Sequence, residues 1–455
     1  MSAFAKADMF GSPRSAGDFC TPLDHNQGVT TTTGTTPAAE AAPPTHNWAG
    51  NLRYGFTRHL RPRTLTELQE QVAAEPRLRV IGSRHSFTAI TDGDVALSLA
   101  GLPDDVEVDV DAGTVTCSGG ATFGALAASL EAHGLALANL ASLPHISVAG
   151  AVATGTHGSG AGLGNLATAV RALTFVTADG ALRTVTRGEP DFAGAVVHLG
   201  ALGVVHRVTL DVEPAYEVAQ TVHPGLGWDV AEERLREALG AAYSVSLFTD
   251  WGPAGVTAWV KRRVGTDALA GTTGDFLGVP AATTPQHPVP GEDPVACTEQ
   301  LGAPGPWSER LPHFRMGFTP SSGEEIQSEW HVPAEHGPAA VAALRGVHAE
   351  IAPLLMISEI RAVAADDLWL SPMQGRDTVS LHFTWVRDQA GVEAAARVVE
   401  QALSAYDPRP HWGKLYSHSP AVLDSYPQAD AFRALRERWD PEHVFTNAWT
   451  ARLLD

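Results

Sequence analysis

Two segments dense in glycine, serine and threonine constrain the fold of this chain more than any other feature. They read IGSRHSF at 81–87 and SLPHISVAGAVATGTHGSG at 142–160. Glycine permits unusual dihedral angles and a close approach of the backbone, so such loops let several N–H groups converge on one anion. The pattern indicates a pyrophosphate site, although solvent-exposed turns would have the same composition.

The spacing of the residues excludes the common nucleotide and hydrolase motifs. The glycines at 158, 160, 162 and 164 do not fit GxGxxG, so a Rossmann fold is not predicted. Pro408 stands where a P-loop ending at Gly413 and Lys414 would need its first glycine. No GxSxG or HExxH occurs, and the HxE at 348–350 lacks a PCxxC partner. We therefore predict neither a serine nucleophile nor a metal site.

Composition and charge argue against several classes of partner. The 455 residues contain no apolar run of the roughly 20 residues needed to span a bilayer, so membrane insertion is not predicted. A formal net charge of −20 provides no basic surface for nucleic acid, and a neutral substrate fits better. Cys20, Cys117 and Cys297 form no CxxC pair, so reduced thiols and a cytoplasmic location are predicted.

The chain is long enough for two domains, and its pattern predicts an α+β fold. Residues 1–46 are rich in Thr, Ala, Pro and Gly and predict a disordered tail. Beyond them we predict strands at 78–82, 95–99, 106–110, 114–119, 172–180 and 203–212, with a helix from Phe123 to Leu135. A second domain is predicted from about residue 214, with a helical stretch from Ala334 to Ala352.

Two predicted strands near the end of the second domain carry polar residues at every second position. In ISEIRAV at 357–363, Glu359 and Arg361 share a face, and in DTVSLHFTW at 377–385, His382 and Thr384 share one. A sheet with one face in water would show the same alternation. Such donors and acceptors would also suit a pocket for a hydroxyl-rich molecule.

The chain resembles the bacterial alditol oxidases of the vanillyl-alcohol-oxidase flavoprotein superfamily. The match runs from Asn47 to Ala448 and includes both glycine-rich loops, LGALGVV at 199–205, AAYSVSLFTDW at 241–251, PGPWSERLPHFR at 304–315, SEIRAVAAD at 358–366, HFTW at 382–385 and PHWGK at 410–414. The resemblance implies an FAD-binding domain at 47–213, a cap domain at 214–405, and a C-terminal segment at 406–455 that returns to the first domain.

The resemblance also implies FAD, held covalently through His85. A ring nitrogen of histidine can attack the methyl carbon of the isoalloxazine, and the link raises the redox potential of the flavin. The residues expected to line the flavin are Ile81, Gly82, Ser83, Arg84, His85, Ser86, Ser142, Ser147, Gly150, Thr154, Gly155, Thr156, His157 and Val205. The family usually has glycine where Arg84 stands, so this chain adds a charge near the pyrophosphate.

By the same match, the polar residues form an alcohol-oxidising site. Lys414 is the expected base, because burial next to Arg361 would weaken its hold on a proton; a surface lysine is the alternative. Arg361 would stabilise the developing negative oxygen, and Glu359 would bind the adjacent hydroxyl. The expected substrate-binding residues are Ser142, Glu359, Arg361, His382, Thr384 and Lys414. The implied reaction oxidises the terminal primary alcohol of a polyol such as xylitol or sorbitol, with O2 reduced to H2O2.

Two other functions are compatible with the sequence. An aldonolactone oxidase of the same superfamily would act on a lactone ring instead of an open chain. A flavin-binding protein without turnover would belong to another class, and the cost of burying unused charge argues against it. We expect a monomer, and the sequence does not rank the polyols, because one carbon changes binding by only about 1–3 kcal/mol.

Overall fold

The computed structural model describes residues 42–267, 274–318 and 324–455. Most of the predicted tail at 1–46 lies outside these residues. Within the part that is described, His46 forms an isolated antiparallel bridge with Arg53. None of the described helices is long and apolar enough to cross a membrane.

Between residues 42 and 214 the chain folds into three small sheets. Its strands are β1 (Arg58–Leu60), β2 (Arg79–Ile81), β3 (Val95–Ser98), β4 (Val106–Asp109), β5 (Thr114–Ser118), β6 (Leu135–Ala136), β7 (Val170–Val176), β8 (Leu182–Thr186), β9 (Val204–Asp211) and β10 (Glu213–Pro214). A parallel sheet has the order β1-β3-β2, an antiparallel sheet has the order β4-β5-β9-β7-β8, and β6 pairs with β10. Each of the six predicted strands is confirmed, with ends displaced by up to four residues.

Four α-helices accompany these sheets: α1 (Leu65–Ala74), α2 (Phe123–Ala132), α3 (Val148–Ala153) and α4 (Phe192–Val196). The predicted helix at 123–135 is confirmed, and it begins where the Thr122 hydroxyl accepts a hydrogen bond from the backbone N–H of Ala125. It ends earlier than predicted because Gly134 adopts a left-handed φ of 67° and the chain then turns into β6.

In the second half, the residues that the structure describes form one antiparallel sheet of eight strands. These are β11 (Glu217–Leu226), β12 (Ser244–Thr249), β13 (Val256–Arg263), β14 (Pro304–Pro306), β15 (Glu325–Pro333), β16 (Leu355–Val363), β17 (Thr378–Val386) and β18 (Arg409–Pro410). Their order across the sheet is β14-β11-β13-β12-β16-β17-β15-β18. The two strands predicted from alternation, β16 and β17, are neighbours, and β15 joins the far side of β17.

The helices of this half are α5 (Trp228–Glu233), α6 (Leu235–Gly240), α7 (Trp307–Arg310), α8 (Gly337–Gly346), α9 (His348–Ile351), α10 (Gln389–Leu403), α11 (Ala429–Trp439) and α12 (Ala448–Leu454). The predicted helical stretch from Ala334 to Ala352 is confirmed, with one interruption. A short 3₁₀ turn precedes α8, and Val347 separates α8 from α9, because the backbone of Val347 leaves helical geometry.

Helices α8 and α10 contact β15 on one side of the large sheet. Helix α10 buries an apolar stripe that includes Val392, Val399 and Leu403, and Gly337 of α8 lies against Val379 of β17. Leu381 and Phe383 of the same strand are fully buried, as the alternation predicts for this face. The opposite face of the same strands is free to carry polar residues.

The end of the chain contacts the parallel sheet near the N-terminus. The N–H of Leu78 donates to the carbonyl of Val444 at 2.9 Å, and the side-chain amide of Asn447 donates to the carbonyls of Ala89, Ile90 and Asp92. Val444 and Phe445 belong to the same apolar cluster as the strands of that sheet. The residue bounds 47–213, 214–405 and 406–455 stay a prediction.

Candidate active site

The polar residues of β15, β16 and β17 lie in rows across one face of the eight-stranded sheet. Glu359 of β16 is paired in register with His382 of β17, and His382 is paired with Glu329 of β15. The next row along the strands contains Arg361, Ser380 and His331. The predicted sharing of a face is therefore confirmed, and β15 adds residues that the sequence did not single out.

Glu329 lies at the centre of this polar face. One carboxylate oxygen is 2.6 Å from a terminal nitrogen of Arg361 and 3.1 Å from Nε2 of His157, and it also accepts the hydroxyl of Ser380. The other oxygen is 2.8 Å from Nζ of Lys414. Burial alone would raise the pKa of Glu329, but Lys414 and Arg361 hold it well below its usual range. Glu329 is therefore an anion that joins two cations.

Lys414 reaches the polar face from the loop after β18. That loop is tied to the first glycine-rich segment, because the N–H of Phe87 donates to the carbonyl of Gly413 at 2.7 Å and the Thr88 hydroxyl donates to that of Trp412 at 3.3 Å. The side chain of Lys414 is 16% exposed whereas that of Glu329 is 1% exposed, so the amine is the accessible end of the pair. Burial lowers the pKa of Lys414 and Arg361 adds to this, while Glu329 opposes it.

Glu359 and Arg361 lie two residues apart on one face of β16 and form a second ion pair. The Nε atom of Arg361 is 3.6 Å from one oxygen of Glu359, and the other oxygen is 2.8 Å from Nε2 of His313. Burial would raise the pKa of Glu359, yet Arg361 and His313 hold it well below the usual range. Arg361 therefore contacts both carboxylates, with the shorter contact to Glu329 rather than to Glu359.

His382 and Thr384 extend the polar face along β17. Nε2 of His382 is 3.2 Å from the side-chain oxygen of Gln327, which is paired in register with Thr384. Burial, with the nearby charge of Lys414, lowers the pKa of His382 well below its usual value, so the ring is neutral near pH 7. A neutral imidazole and a hydroxyl each offer a donor and an acceptor, as binding to a polyol requires.

Three buried groups on this face have the spacing of a metal site. His157, Glu329 and His331 each bring a ligand atom within 4.8 Å of the others. Arg361 and Lys414 already contact the same carboxylate, however, and two positive charges there oppose the binding of a cation. The expectation that the site uses no metal stays a prediction, and this electrostatic argument favours it.

The two glycine-rich segments meet each other. The N–H of Ser147 donates to the hydroxyl of Ser83 at 3.1 Å, which joins the loop after β2 to the start of α3. A side chain on Gly82 or on Gly150 would collide with the hydroxyl of Ser147, while both glycines are exposed on their other side. The loops therefore pack as closely as their glycines allow and present backbone toward one side, which fits a pyrophosphate.

His85 lies next to this junction and stacks on Trp48. The ring centroids are 4.8 Å apart with an interplanar angle of 22°, and Nδ1 is buried without a hydrogen bond of normal geometry. Burial, with the charge of nearby His145, lowers the pKa of His85 to about 4. The ring is therefore neutral at pH 7 and keeps a nitrogen lone pair, as a nucleophile toward the flavin methyl group requires.

Arg84 adopts a left-handed backbone with a φ of 61°. This region favours glycine, which agrees with the glycine that the family usually has at this position. Two hydrogen bonds hold the conformation: the carbonyl of Arg84 accepts the N–H of Trp48 at 2.9 Å, and its guanidinium donates to the carbonyl of His46 at 3.1 Å.

The other predicted flavin residues surround this junction or lead from it to the polar face. Thr154 donates to the carbonyl of Gly150 at 3.0 Å, and Gly155 and Thr156 follow, with Gly155 at a φ of 63°. The carbonyl of Val205 of β9 lies so close to Gly119 that a side chain at 119 would collide with it.

The carbonyl of Ser142 accepts the N–H of His313 at 3.2 Å, and His313 contacts Glu359, so the loop of Ser142 is connected to Glu359. Ile81 is buried at the end of β2, and Ser86 accepts the amide of Asn47 through its carbonyl.

The structure adds three residues that the sequence reasoning missed: Glu329, His313 and Lys261. Glu329 could have been found from the sequence, because polar residues alternate in QSEWHVP at 327–333 as they do in β16 and β17. His313 lies inside one of the motifs carrying the resemblance, but nothing in its spacing marks it. His157, expected at the flavin, contacts Glu329, and its contact with the flavin stays a prediction.

Comparison with known proteins identifies relatives along nearly the whole chain. A family described as an FAD binding domain matches residues 59–186, and one described as D-arabinono-1,4-lactone oxidase matches residues 321–453. The alditol oxidase of Streptomyces sp. (strain IKD472 / FERM P-14339) is 48% identical, over 90% of this chain and 98% of that protein. An L-gulono-1,4-lactone dehydrogenase of Mycobacterium tuberculosis is 31% identical over the same shares, and an L-gulonolactone oxidase of Bos taurus is 25% identical over 90% and 97%.

Among solved structures, the crystal structure of cholesterol oxidase from B. sterolicum superimposes with a TM-score of 0.74 at 16% identity, over 93% of this chain and 99% of that one. This likeness concerns the fold alone. Together with the FAD-domain match it confirms the predicted α+β fold of vanillyl-alcohol-oxidase type, with an FAD-binding domain and a second domain. The chain belongs to the family of alditol oxidases and aldonolactone-oxidising enzymes within this superfamily of FAD-dependent oxidoreductases.

Proposed function

We propose that this protein oxidises the terminal primary alcohol of an alditol to the aldehyde and passes the electrons to O2. The observation that carries the proposal is the pair of Glu359 and His382, with Arg361 and Lys414 beside it and Glu329 joining these two cations, on one buried face of the sheet. Such an arrangement offers several directional hydrogen-bond partners placed one after another, which suits a linear chain of hydroxyl groups better than a compact ring.

The glycine-rich loops would hold the cofactor. Residues 81–86, Ser147 and Gly150 would bind the pyrophosphate, and His85 would be covalently attached to the isoalloxazine. When bound, FAD supplies an acceptor for the hydride of the alcohol carbon and a route for electrons to O2, which yields H2O2. The neutral ring of His85 and its stacking on Trp48 support the attachment, because both leave a nitrogen lone pair available in a fixed orientation.

The residues of the polar face would divide the remaining work. Lys414, the accessible cation, would take the hydroxyl proton at its Nζ atom, which its lowered pKa favours. Arg361 would stabilise the alcohol oxygen as negative charge develops, and Glu359 would accept a hydrogen bond from the next hydroxyl. His382, Thr384 and Ser142 would bind hydroxyls further along the polyol. Glu329 would hold Lys414 and Arg361 in place without contacting the reacting atoms.

Several broader expectations belong to the same proposal. The three cysteines favour a cytoplasmic enzyme with reduced thiols, and Cys117 and Cys297 are buried and unpaired with each other. We propose that the enzyme acts as a monomer and that 214–405 forms the cap over the flavin. Neither partner proteins nor nucleic acid are needed for the reaction.

The test is a peroxide assay on the purified full chain with xylitol, sorbitol and glycerol against gulono- and galactonolactone. Faster peroxide release with the alditols supports the proposal, and a preference for the lactones would identify an aldonolactone oxidase. Absence of peroxide with every substrate, from protein whose flavin also stays oxidised when the substrate is added without O2, would point to a flavin-binding protein without turnover.

Covalent attachment is tested separately by acid precipitation. We expect the yellow colour to stay with the wild-type pellet and to enter the supernatant for His85→Ala. His145→Ala is the matched control, because His145 lies beside His85 and is also a histidine of a glycine-rich loop. Colour retained in the pellet of His85→Ala would locate the attachment elsewhere.

A further inference from the structure

The chain contains only three lysines, Lys6, Lys261 and Lys414, among its 31 basic residues. Lys6 lies outside the described residues. The other two are both directed to the polar face, although they lie 153 residues apart along the chain. Lysine, unlike arginine, can lose its proton when it is buried, so a lysine in this position can change its charge with pH whereas the arginines around it cannot. The reaction proposed above uses Lys414 and leaves Lys261 without a role.

Lys261 lies in β13 and is 1% exposed. Its ammonium group donates to the carbonyls of Leu311 and Pro312, the second at 3.2 Å, and is 3.3 Å from Nδ1 of His313. These three acceptors account for its three N–H donors. His313 in turn is 2.8 Å from Glu359 through its other ring nitrogen. Lys261 therefore contacts the imidazole of His313, which in turn contacts the carboxylate of Glu359 in the proposed site.

The donors and acceptors in this contact determine where the proton of His313 lies. An ammonium group has no lone pair, so Nδ1 of His313 can only accept from Lys261. Burial first, and then the charge of Lys261, lower the pKa of His313 to about 4, so the ring carries a single proton at pH 6, where Lys261 is charged. That proton must then be on Nε2, from which it is donated to Glu359.

We propose that Lys261 is a positioning residue of the alcohol oxidation: it fixes the tautomer of His313, and His313 thereby holds Glu359 as an ionised acceptor for a substrate hydroxyl. This rests on the proposed function. Without Lys261, the ring could carry its proton on Nδ1 and donate to a carbonyl of the 311–312 segment. Its Nε2 lone pair would then face the carboxylate of Glu359, which would have to move or take up a proton.

The surroundings of His313 make the proton position matter. Phe248 and Trp259 pack edge to face against the imidazole, each with centroids 5.4 Å from it. These apolar walls exclude water that could otherwise replace a lost hydrogen bond, and they strengthen the bonds that remain. The backbone of His313 is fixed as well, because its N–H donates to Ser142 and its carbonyl accepts the N–H of Thr298.

The same chain of contacts predicts a pH dependence. Burial lowers the pKa of Lys261 to about 7, opposed by Glu359 and aided by Arg361, with Cys297 and His313 the other titratable groups facing it. A lysine whose pKa is lowered is charged below that value and neutral above it. The tautomer of His313 is therefore fixed below about pH 7 and becomes free to change as pH rises past it.

The experiment measures the tautomer directly, by ¹⁵N NMR of histidine-labelled flavoenzyme, and the His313→Gln spectrum identifies the His313 signals. At pH 6 we expect Nε2 to carry the proton and Nδ1 to lack it. Lys261→Met should move the proton toward Nδ1. In the wild type, raising the pH past 7 should do so without any substitution, so the test survives a variant that fails to fold. A proton on Nδ1 of the wild type at pH 6 would overturn the proposal.

A double-mutant cycle tests the consequence for the reaction. Lys261→Met should lower kcat/KM for the polyol by at least about fivefold, because it leaves buried polar groups mismatched. Glutamine at 313 donates to Glu359 without help from Lys261, so adding Lys261→Met to His313→Gln should change kcat/KM by less than about twofold. Effects that multiply would show that Lys261 acts independently of His313. An enzyme that released no peroxide would overturn the proposed function, whereas the proton position on His313 is read without turnover.

Discussion

The two faces of β15, β16 and β17 are stabilised in different ways, although they belong to the same strands. On one face Phe383 stacks on Trp385 with ring centroids 5.1 Å apart, and Trp330 and Trp251 also pack against the ring of Phe383. On the other face Glu329 contacts Arg361, Lys414 and His157 at once. The first face depends on contact area and the second on the pairing of charges.

This difference determines what a substitution does on each face. Removing atoms from the apolar face leaves a cavity, and its cost is limited to lost transfer free energy and lost contacts. Removing one member of the polar face leaves its partner as an unpaired buried charge, so the effect spreads to groups that were not changed. Substitutions on the apolar face should therefore reduce stability alone, and those on the polar face should also change the reaction.

The largest effect is expected for Lys414→Met. Loss of a general base lowers kcat by about 10²–10⁴-fold, and the flavin should stay bound because Lys414 is not in its loops. In the wild type the base must be deprotonated, so kcat/KM should rise with pH and level off below the ordinary lysine pKa of about 10.4. Lys414→Arg keeps the charge and the contact with Glu329 but cannot lose a proton. If it retains most of the activity, Lys414 acts through its charge and not as a base.

Glu329→Gln should affect both stability and the reaction. Breaking a buried ion pair by removing one partner costs about 3–5 kcal/mol, here because Arg361 and Lys414 would share a site without their common anion. Since Glu329 raises the pKa of Lys414, its loss should also shift the rise of kcat/KM to lower pH. Denaturant unfolding and a pH profile of the same variant measure the two effects. An unchanged pH profile would separate Glu329 from the base.

Phe383→Ala is the matched substitution on the apolar face, because Phe383 lies between His382 and Thr384 in β17. Truncation of a buried phenylalanine costs about 3–5 kcal/mol, similar to the loss expected for Glu329→Gln. The pH profile of the folded enzyme should nevertheless match the wild type. A shifted profile would mean that the two faces are coupled through the strand and do not respond separately to substitution.

Much of this arrangement could be predicted from the sequence, because alternation along a strand is a local property. The faces of Glu359, Arg361 and His382 follow from period-two spacing alone, and so does the burial of Phe383. The central position of Glu329 could not be predicted in this way. It arises because β15 pairs with β17 across the 44 residues at 334–377 that lie between them, and a local pattern does not specify which strands become neighbours.

The contacts made by segments without regular structure were the hardest to predict. His313 reaches Glu359 because its segment is anchored to Ser142 and Thr298 through the backbone, and such anchoring leaves no periodic signal. The conformation of Arg84 could be anticipated only from the family pattern, since an arginine gives no local sign of a left-handed backbone.

Arg84 is stabilised in a third way, by hydrogen bonds that hold a strained backbone rather than by contact area or charge pairing. Substitutions at Arg84 should have the smallest effect of those considered. A side chain in the left-handed region costs about 1–2 kcal/mol relative to glycine, and Arg84→Gly removes this strain but also the bond from the guanidinium to His46. Arg84→Ala removes the bond and keeps the strain, so it should be less stable than Arg84→Gly by about 1 kcal/mol in thermal or denaturant unfolding. Both variants should keep flavin in the acid-precipitated pellet if His85 needs only the loop conformation. If Arg84→Ala alone loses the flavin, the guanidinium contact is what keeps a non-glycine residue compatible with attachment; if both lose it, the charge of Arg84 acts on the cofactor itself.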